Sequence, residues 1–274
     1  MKQTGAKRLL VNLLSKHAPS LLGSYRGLRS RQRDKGQFVE INRAVREAMY
    51  AKQTHPVVAS GPFQGMIYLA EAIWGPITPK WLGCYEAELQ PAVNAIIEAR
   101  YSKIINIGCA EGYYAVGLAW KCPASEVIAF DSDFMSQRQC SRLAHLNAVS
   151  GRVEVTGSCS HAGLRSLIVP GKTVIVCDIE GGEAALLDPA LVPQLAGCDL
   201  LVEVHENAVT SREVEELLRE RFGKTHRIGR ISARDPEGWM AENSGICAQL
   251  GKPLALRATD EKRSNGFAWL WMTH

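Results

Sequence analysis

Several features are missing from this 274-residue chain, and each absence removes a class of function. Its eight cysteines (Cys84, Cys109, Cys122, Cys140, Cys159, Cys177, Cys198 and Cys247) never fall into CxxC or CxH spacing, which argues against a zinc module. Several sit inside apolar runs, as expected of reduced, buried thiols in a cytoplasmic protein rather than a disulfide scaffold. No apolar run is long enough to span a bilayer. The early stretch LLVNLLSKHAPSLLG is broken by Lys16 and His17 and lacks a good cleavage site, so no signal peptide is expected. There is no internal repeat. The dinucleotide fingerprint G-x-G-x-x-G is absent too, which weakens the alternative of a nicotinamide-dependent oxidoreductase.

Acidic residues are scarce at one end. Residues 1–55 carry twelve Lys and Arg against three Asp and Glu, a surplus of nine. The whole chain is only +4, so the remainder carries −5. Leu9, Leu10, Leu13 and Leu14 share one helical face beside Lys7, Arg8 and Lys16. Two readings stand for this segment: a solvated helix packing on the core or on a second subunit as a homodimer contact, or a basic amphipathic helix touching an anionic inner membrane surface. A non-catalytic module docking through this basic end is a third possibility for the protein as a whole. Few aromatics interleave the charges (Tyr25, Phe38, Tyr50), so specific nucleic-acid readout is not expected.

Strands and helices then alternate in a regular order. Strands are expected at Lys103–Ile107, Glu126–Phe130, Val153–Thr156, Thr173–Cys177 and Leu200–Val204. The helices between and after them are Tyr113–Lys121, Met135–Asn147, His161–Leu167, Glu183–Leu195 and Ser211–Phe222. Short links between such elements mean a parallel sheet covered on both faces. Near the end, THRIGRISAR and GFAWLWMTH read as two strands with no clear helix between them, hence a closing hairpin. Trp269 and Trp271 alternate in the last strand and share a face. The organisation expected is a basic helical extension and lid over residues 1–84 and an α/β core over 85–274.

The first strand leaves through KIINIGCAEGYYAVGLA, a turn of small residues at Gly108, Ala110 and Gly112 leading into a helix. Unpaired N–H groups and a positive dipole end lie there, and small residues let a ligand approach the backbone. A tight turn without a ligand fits the same residues. Asp131 favours the ligand: it ends the second strand 19 residues after Gly112, where an acid can hold both hydroxyls of a ribose. Asp133 reads as a helix cap.

Together these stretches resemble class I S-adenosylmethionine-dependent methyltransferases. INIGCAEGYYAVGLA is similar to the family's first motif and IAFDSD to its second. VIVCDIEGGEAALLDP followed by LLVEVHE is similar to the FkbM-like subgroup, with its D-x-E-G-x-E and E-x-H stretches. The resemblance covers about Tyr85 to the C-terminus. It implies a Rossmann-like seven-strand, mostly parallel, doubly wound sheet with an antiparallel last strand. It also implies S-adenosylmethionine, with Ile107, Gly108, Cys109, Ala110, Gly112 and Tyr113 near its methionine part, Asp131 on its ribose, Asp178 beside it, and Ser158 or Cys159 at the adenine edge. Two residues depart from the pattern: Asn106 stands where the first motif usually has an acid, and Ala110 where it often has glycine. Tyr85 and Glu86 are either a lid on the methionine end or an ordinary helix start.

Methyl transfer to a hydroxyl of a small molecule or glycan needs a positioned acceptor and a group that takes its proton. Asp178, Glu180, Glu183, Glu203, His205 and Glu206 gather at the ends of the fourth and fifth strands. Asp178, Glu203 and His205 are the candidate catalytic residues, with His205 the natural base because its ordinary pKa is near neutrality. The same three have the donor make-up of a divalent-metal site. Glu183 reads as helix N-terminal stabilisation.

Overall fold

A computed structural model describes residues 38–205, 211–263 and 268–274. The Leu9–Leu14 helix, most of the basic segment and Glu206 lie outside the described residues. Seven strands form one sheet in the order β3-β2-β1-β4-β5-β7-β6. They are β1 Lys103–Ile107, β2 Glu126–Phe130, β3 Val153–Thr156, β4 Thr173–Cys177, β5 Asp199–Val204, β6 Arg227–Ser232 and β7 Ala268–Thr273. β1 to β5 pair in parallel, and β7 runs antiparallel between β5 and β6. The expected Rossmann-like, doubly wound sheet with an antiparallel last strand is therefore observed.

The central strands are near-continuous apolar runs because both faces are covered. Ile104, Val127, Ala129, Val174, Val176, Leu201 and Trp269 point into one apolar cluster. Ile105, Ile107, Ile128, Phe130, Ile175, Cys177, Leu200 and Val202 point into the other. Trp271 packs against the same cluster as Trp269, as their alternation requires. The first cluster also takes Phe38, Val45, Phe63, Tyr68 and Trp81, so the chain from residue 38 onward is packed against the sheet. All eight cysteines are free and six are buried. Among the described residues no helix is long and apolar enough to cross a membrane.

Two expected elements differ. The helix begun at Glu183 ends at Leu186, not Leu195, and a 3-10 turn follows at Pro193–Gly197. Pro189 and Pro193 interrupt the stretch, and a residue before proline is held out of the helical region. The link between β6 and β7 is not a plain hairpin. It carries three short helices, Pro236–Glu242, Ser244–Leu250 and Lys252–Ala258, divided at Asn243 and at Gly251 with its positive φ of 74°. Their periodicity is too short to stand out against the polar composition of the stretch.

The sheet order reverses direction between β1 and β4, whose carboxyl ends therefore open a crevice.

Candidate functional site

The glycine turn stands over that crevice, and its small residues are required first by the protein itself. Gly108 has φ 81°, and a Cβ there would lie 1.6 Å from the Asp178 carbonyl oxygen. The ends of β1 and β4 are that close because Asp178 N–H donates to Ile107 O at 2.9 Å. Gly112 has φ 99°, and a Cβ would meet Cys140 Sγ at 2.9 Å. Ala110 is held in a left-handed conformation as well, at φ 47°. Asp131 explains that strain: its Oδ2 accepts Ala110 N–H at 2.8 Å, while Oδ1 accepts Asp133 N–H at 2.8 Å. Asp131 thus ties the second strand end to the turn, still half-exposed beside it. Asp133 caps the Phe134–Leu146 helix by accepting Ser136 N–H, the role its position predicts.

Beneath the turn is a small recess of about 30 Å³. It is lined by Lys80, Tyr85, Asn106, the turn residues Gly108 to Glu111, the two tyrosines Tyr113 and Tyr114, Val176 and Asp178. The helix Tyr113–Lys121 starts at its wall, and Gly112 at its N-cap gives no side-chain cap. Asn106 is 2% exposed. Its amide donates to Val176 O at 3.2 Å, while its Oδ1 has no partner among the described residues. Ile107 is buried and contributes its carbonyl to Asp178. Tyr113 is buried in an edge-on aromatic group with Phe63, Tyr68, Tyr85 and Tyr114. Ser158 is exposed and Cys159 half-buried in the loop after β3, and neither lines the recess.

Beside the recess, carboxylates surround His205. Its Nδ1 is 3.1 Å from Glu183 Oε1. Its Nε2 is 3.3 Å from Asp178 Oδ1, 3.3 Å from Glu203 Oε2 and 3.6 Å from Glu180 Oε2. Alternation along β5 brings Glu203 and His205 to one face. Glu183 is more than a helix-end charge: it is fully buried, and its Oε1 also accepts Ile179 N–H and Gly181 N–H. Burial alone raises its carboxyl, but the bonds to His205 and to backbone N–H groups outweigh that and lower it. Burial favours a neutral His205 ring, yet hydrogen bonds to Asp178, Glu183 and Glu203 prevail and raise its pKa strongly. The surrounding carboxylates favour the protonated ring over the neutral form that a general base needs.

One ring N–H cannot serve three carboxylates. Among the described residues, Asp178 Oδ1 makes no well-angled hydrogen bond, and Glu183 Oε2 has no partner either. Donor atoms of Asp178, Glu203 and His205 lie within 4.8 Å of one another. With Nδ1–H given to Glu183, Nε2 is left toward Asp178, Glu203 and Glu180, and a ring so braced is the arrangement that orients a metal-bound histidine. The donor set therefore fits a divalent cation.

A second cation is built in. Arg263 reaches Glu86 Oε1 at 3.0 Å, Glu88 Oε1 at 2.9 Å, and Glu203. Glu86 also accepts from Tyr114 OH, and its backbone N–H donates to Glu261 Oε1 at 3.0 Å. Burial and then Asp178 push Glu203 up to about 8. Burial raises Glu86 to about 7 despite Arg263, and burial with Glu86 beside it raises Glu261 to about 8. Tyr85 is half-buried and lines the recess, while Glu86 is buried and sits at a positive φ of 48°.

Sequence reasoning did not find Lys80, Glu111, Glu88, Glu261 or Arg263. Glu111 was visible as the charged residue inside an otherwise small turn. Arg263 and Lys80 lie in polar or proline-broken stretches, where no periodicity says which charge turns inward.

No protein-family model matches the chain, and comparison with curated proteins finds no match. Among solved structures, the chain is similar to the O-methyltransferase TomG from Streptomyces achromogenes, involved in tomaymycin synthesis and determined with S-adenosylmethionine. The identity is 14%, covering 68% of this chain and 81% of that one, with a TM-score of 0.46. It is also similar to an O-methyltransferase from Bacillus cereus determined with S-adenosylhomocysteine, at 14% identity over 66% of this chain and 78% of that one, with a TM-score of 0.43. At these identities the likeness carries nothing about chemistry.

Proposed function

We propose that the chain is an S-adenosylmethionine-dependent methyltransferase of the FkbM-like kind, methylating a hydroxyl of a small molecule or glycan. The observation that carries this reading is a juxtaposition. A recess at the topological switch point, walled by the Gly108–Glu111 turn with Asp131 behind it, opens directly beside Asp178, and Asp178 borders His205 and Glu203. Asp131 keeps its ribose role here, its carboxylate already oriented by Ala110 N–H and Asp133 N–H. The Asp178–Glu183 stretch supports the finer assignment, because Asp178, Glu180 and Glu183 all converge on His205.

Transfer is an in-line displacement at a methyl already activated by a sulfonium, so the protein's tasks are alignment and proton removal. Asp178 borders both the recess and His205, which makes its carboxylate the group that takes the acceptor's proton. His205, braced by Glu183, orients Asp178 and offsets the charge of the surrounding carboxylates. Asp178, Glu203 and His205 would hold a divalent cation, which when bound lowers the pKa of an acceptor hydroxyl. Tyr85 lines the recess on the side where the methionine end would lie.

Calorimetry with S-adenosylmethionine is the test. Saturable binding by the wild type and strong weakening in Asp131→Ala are expected. No binding by a folded wild type sinks the reading.

A further inference from the structure

The reading above leaves one buried charge pair unused. Lys80, from the five-residue helix Thr78–Leu82, meets Glu111 of the glycine turn with side chains only 3% and 0% exposed. Glu111 Oε1 also accepts from Tyr68 OH at 3.2 Å, and Oε2 accepts Ile73 N–H at 3.2 Å. Lys80 Nζ further donates to Trp74 O at 3.1 Å and sits 4.8 Å from the centre of the Tyr85 ring. As a mere staple between the 55–84 segment and the turn, the pair is a costly device. A buried ion pair gains little over apolar packing of the same volume.

The pair is not sealed from the ligand space. Both residues line the recess with Asn106 and Asp178. An ammonium has three N–H donors, and Glu111 and Trp74 O take two of Lys80's. Asn106 brings the opposite demand, an orphaned acceptor oxygen on a side chain 2% exposed, in the same recess. The recess thus presents a cationic donor at one point and a buried acceptor with a carboxylate at another. That polarity complements a zwitterionic α-amino acid, whose carboxylate and ammonium share one carbon.

We propose that Lys80 reads the carboxylate of the ligand's α-amino-acid end, while Asn106 Oδ1 receives its ammonium. This rests on the cofactor reading, because S-adenosylmethionine ends in such a zwitterion, and it assigns the specificity to a residue outside the sheet. Glu111 is a positioning residue that aims Lys80. With an amide at Asn106 in place of an acid, the acceptor oxygen is kept and its charge is not.

The test compares S-adenosylhomocysteine with its decarboxylated analogue, which keeps the amine, by calorimetry. The proteins are the wild type, the charge-neutral double variant Lys80→Met/Glu111→Gln, and Glu111→Gln alone, each checked for folding by circular dichroism. A charge-assisted hydrogen bond predicts that the wild type prefers the carboxylate ligand by at least about tenfold. In the double variant the preference falls below about threefold, with affinity for the decarboxylated analogue retained. Glu111→Gln, whose amide oxygen still accepts from Lys80 Nζ, keeps the preference, and a loss there equal to that in the double variant overturns Lys80 as the reader. Lys80→Gln is a second route to the same loss should the double variant not fold. A tenfold preference surviving without Lys80, or equal weakening of both ligands, overturns the proposal. So does a wild type that binds the two ligands equally, and that result leaves the cofactor reading standing. A wild type that binds neither refutes the cofactor reading itself.

Discussion

Replacing Gly108 by alanine tests the central packing argument. The position has φ 81°, and the new Cβ would sit 1.6 Å from Asp178 O and 2.7 Å from Asp178 C, both backbone atoms that cannot rotate away. Relief would require β1 and β4 to part where Ile107 faces Cys177 in register. A left-handed non-glycine residue costs about 1–2 kcal/mol, and forcing a methyl into packed space costs about 1–3 kcal/mol. Together they give roughly 2–5 kcal/mol, a large part of the ~5–15 kcal/mol that holds a domain folded. Gly181 is the control: its φ is 106°, but nothing among the described residues lies within 4 Å of its Cβ position. Gly181→Ala should therefore bear the conformational cost alone, about 1–2 kcal/mol. Urea unfolding of both variants at a common slope reads the difference, and calorimetry with S-adenosylhomocysteine should show weaker binding in Gly108→Ala. If Gly108→Ala is no less stable than Gly181→Ala, the close approach of Gly108 to Asp178 is not a real constraint and the account of the turn fails.

Further expectations follow from the carboxylate-rich wall and from His205. Glu261 titrates near 4.5 when unfolded and at about 8 when folded, so the folded protein retains a proton the unfolded chain has lost. Its contribution to stability is complete below about 4.5 and lost as pH rises through about 8; melting curves of Glu261→Gln should show a shallower fall over that window, and an unchanged slope counts against the burial of that carboxyl. His205→Ala should lower turnover by about 100-fold or more while leaving S-adenosylhomocysteine binding nearly intact, and full turnover at saturating cofactor rules out its role. Mn²⁺ should raise the melting temperature of the wild type and much less that of Glu203→Gln; equal shifts in both place the ion elsewhere. Arg263→Met leaves Glu86, Glu88 and Glu203 facing one another, and should destabilise by about 3–5 kcal/mol at pH 9. The loss should shrink at pH 6, where Glu86 and Glu203 take up protons.

The strands were legible because buried parallel strands are short apolar runs between turn residues. Lys103–Ile107 and Thr173–Cys177 fall where their composition puts them. The Glu183 helix was overextended because apolar spacing at Leu187 and Leu195 suits a helix face and a buried irregular loop equally; both residues are core. The three short helices before β7 were missed because no seven-residue helix carries enough turns for its period to show.

Local sequence alone determined the parallel α/β order, the small-residue turn after β1, Asp131 at the next strand end, and the grouping of Asp178, Glu203 and His205. All of these follow from strand alternation and from loops emerging at one edge of the sheet. Tertiary structure decided the rest. It made Gly108 a packing requirement, turned Glu183 from a helix-end charge into the brace of His205, and set Arg263 among three carboxylates. It also brought Lys80 onto Glu111 across 31 residues of chain. The physical reason is that a charge's role depends on which other charges share its dry surroundings. Burial and Coulomb energies depend on distances in space, and chain spacing does not encode them.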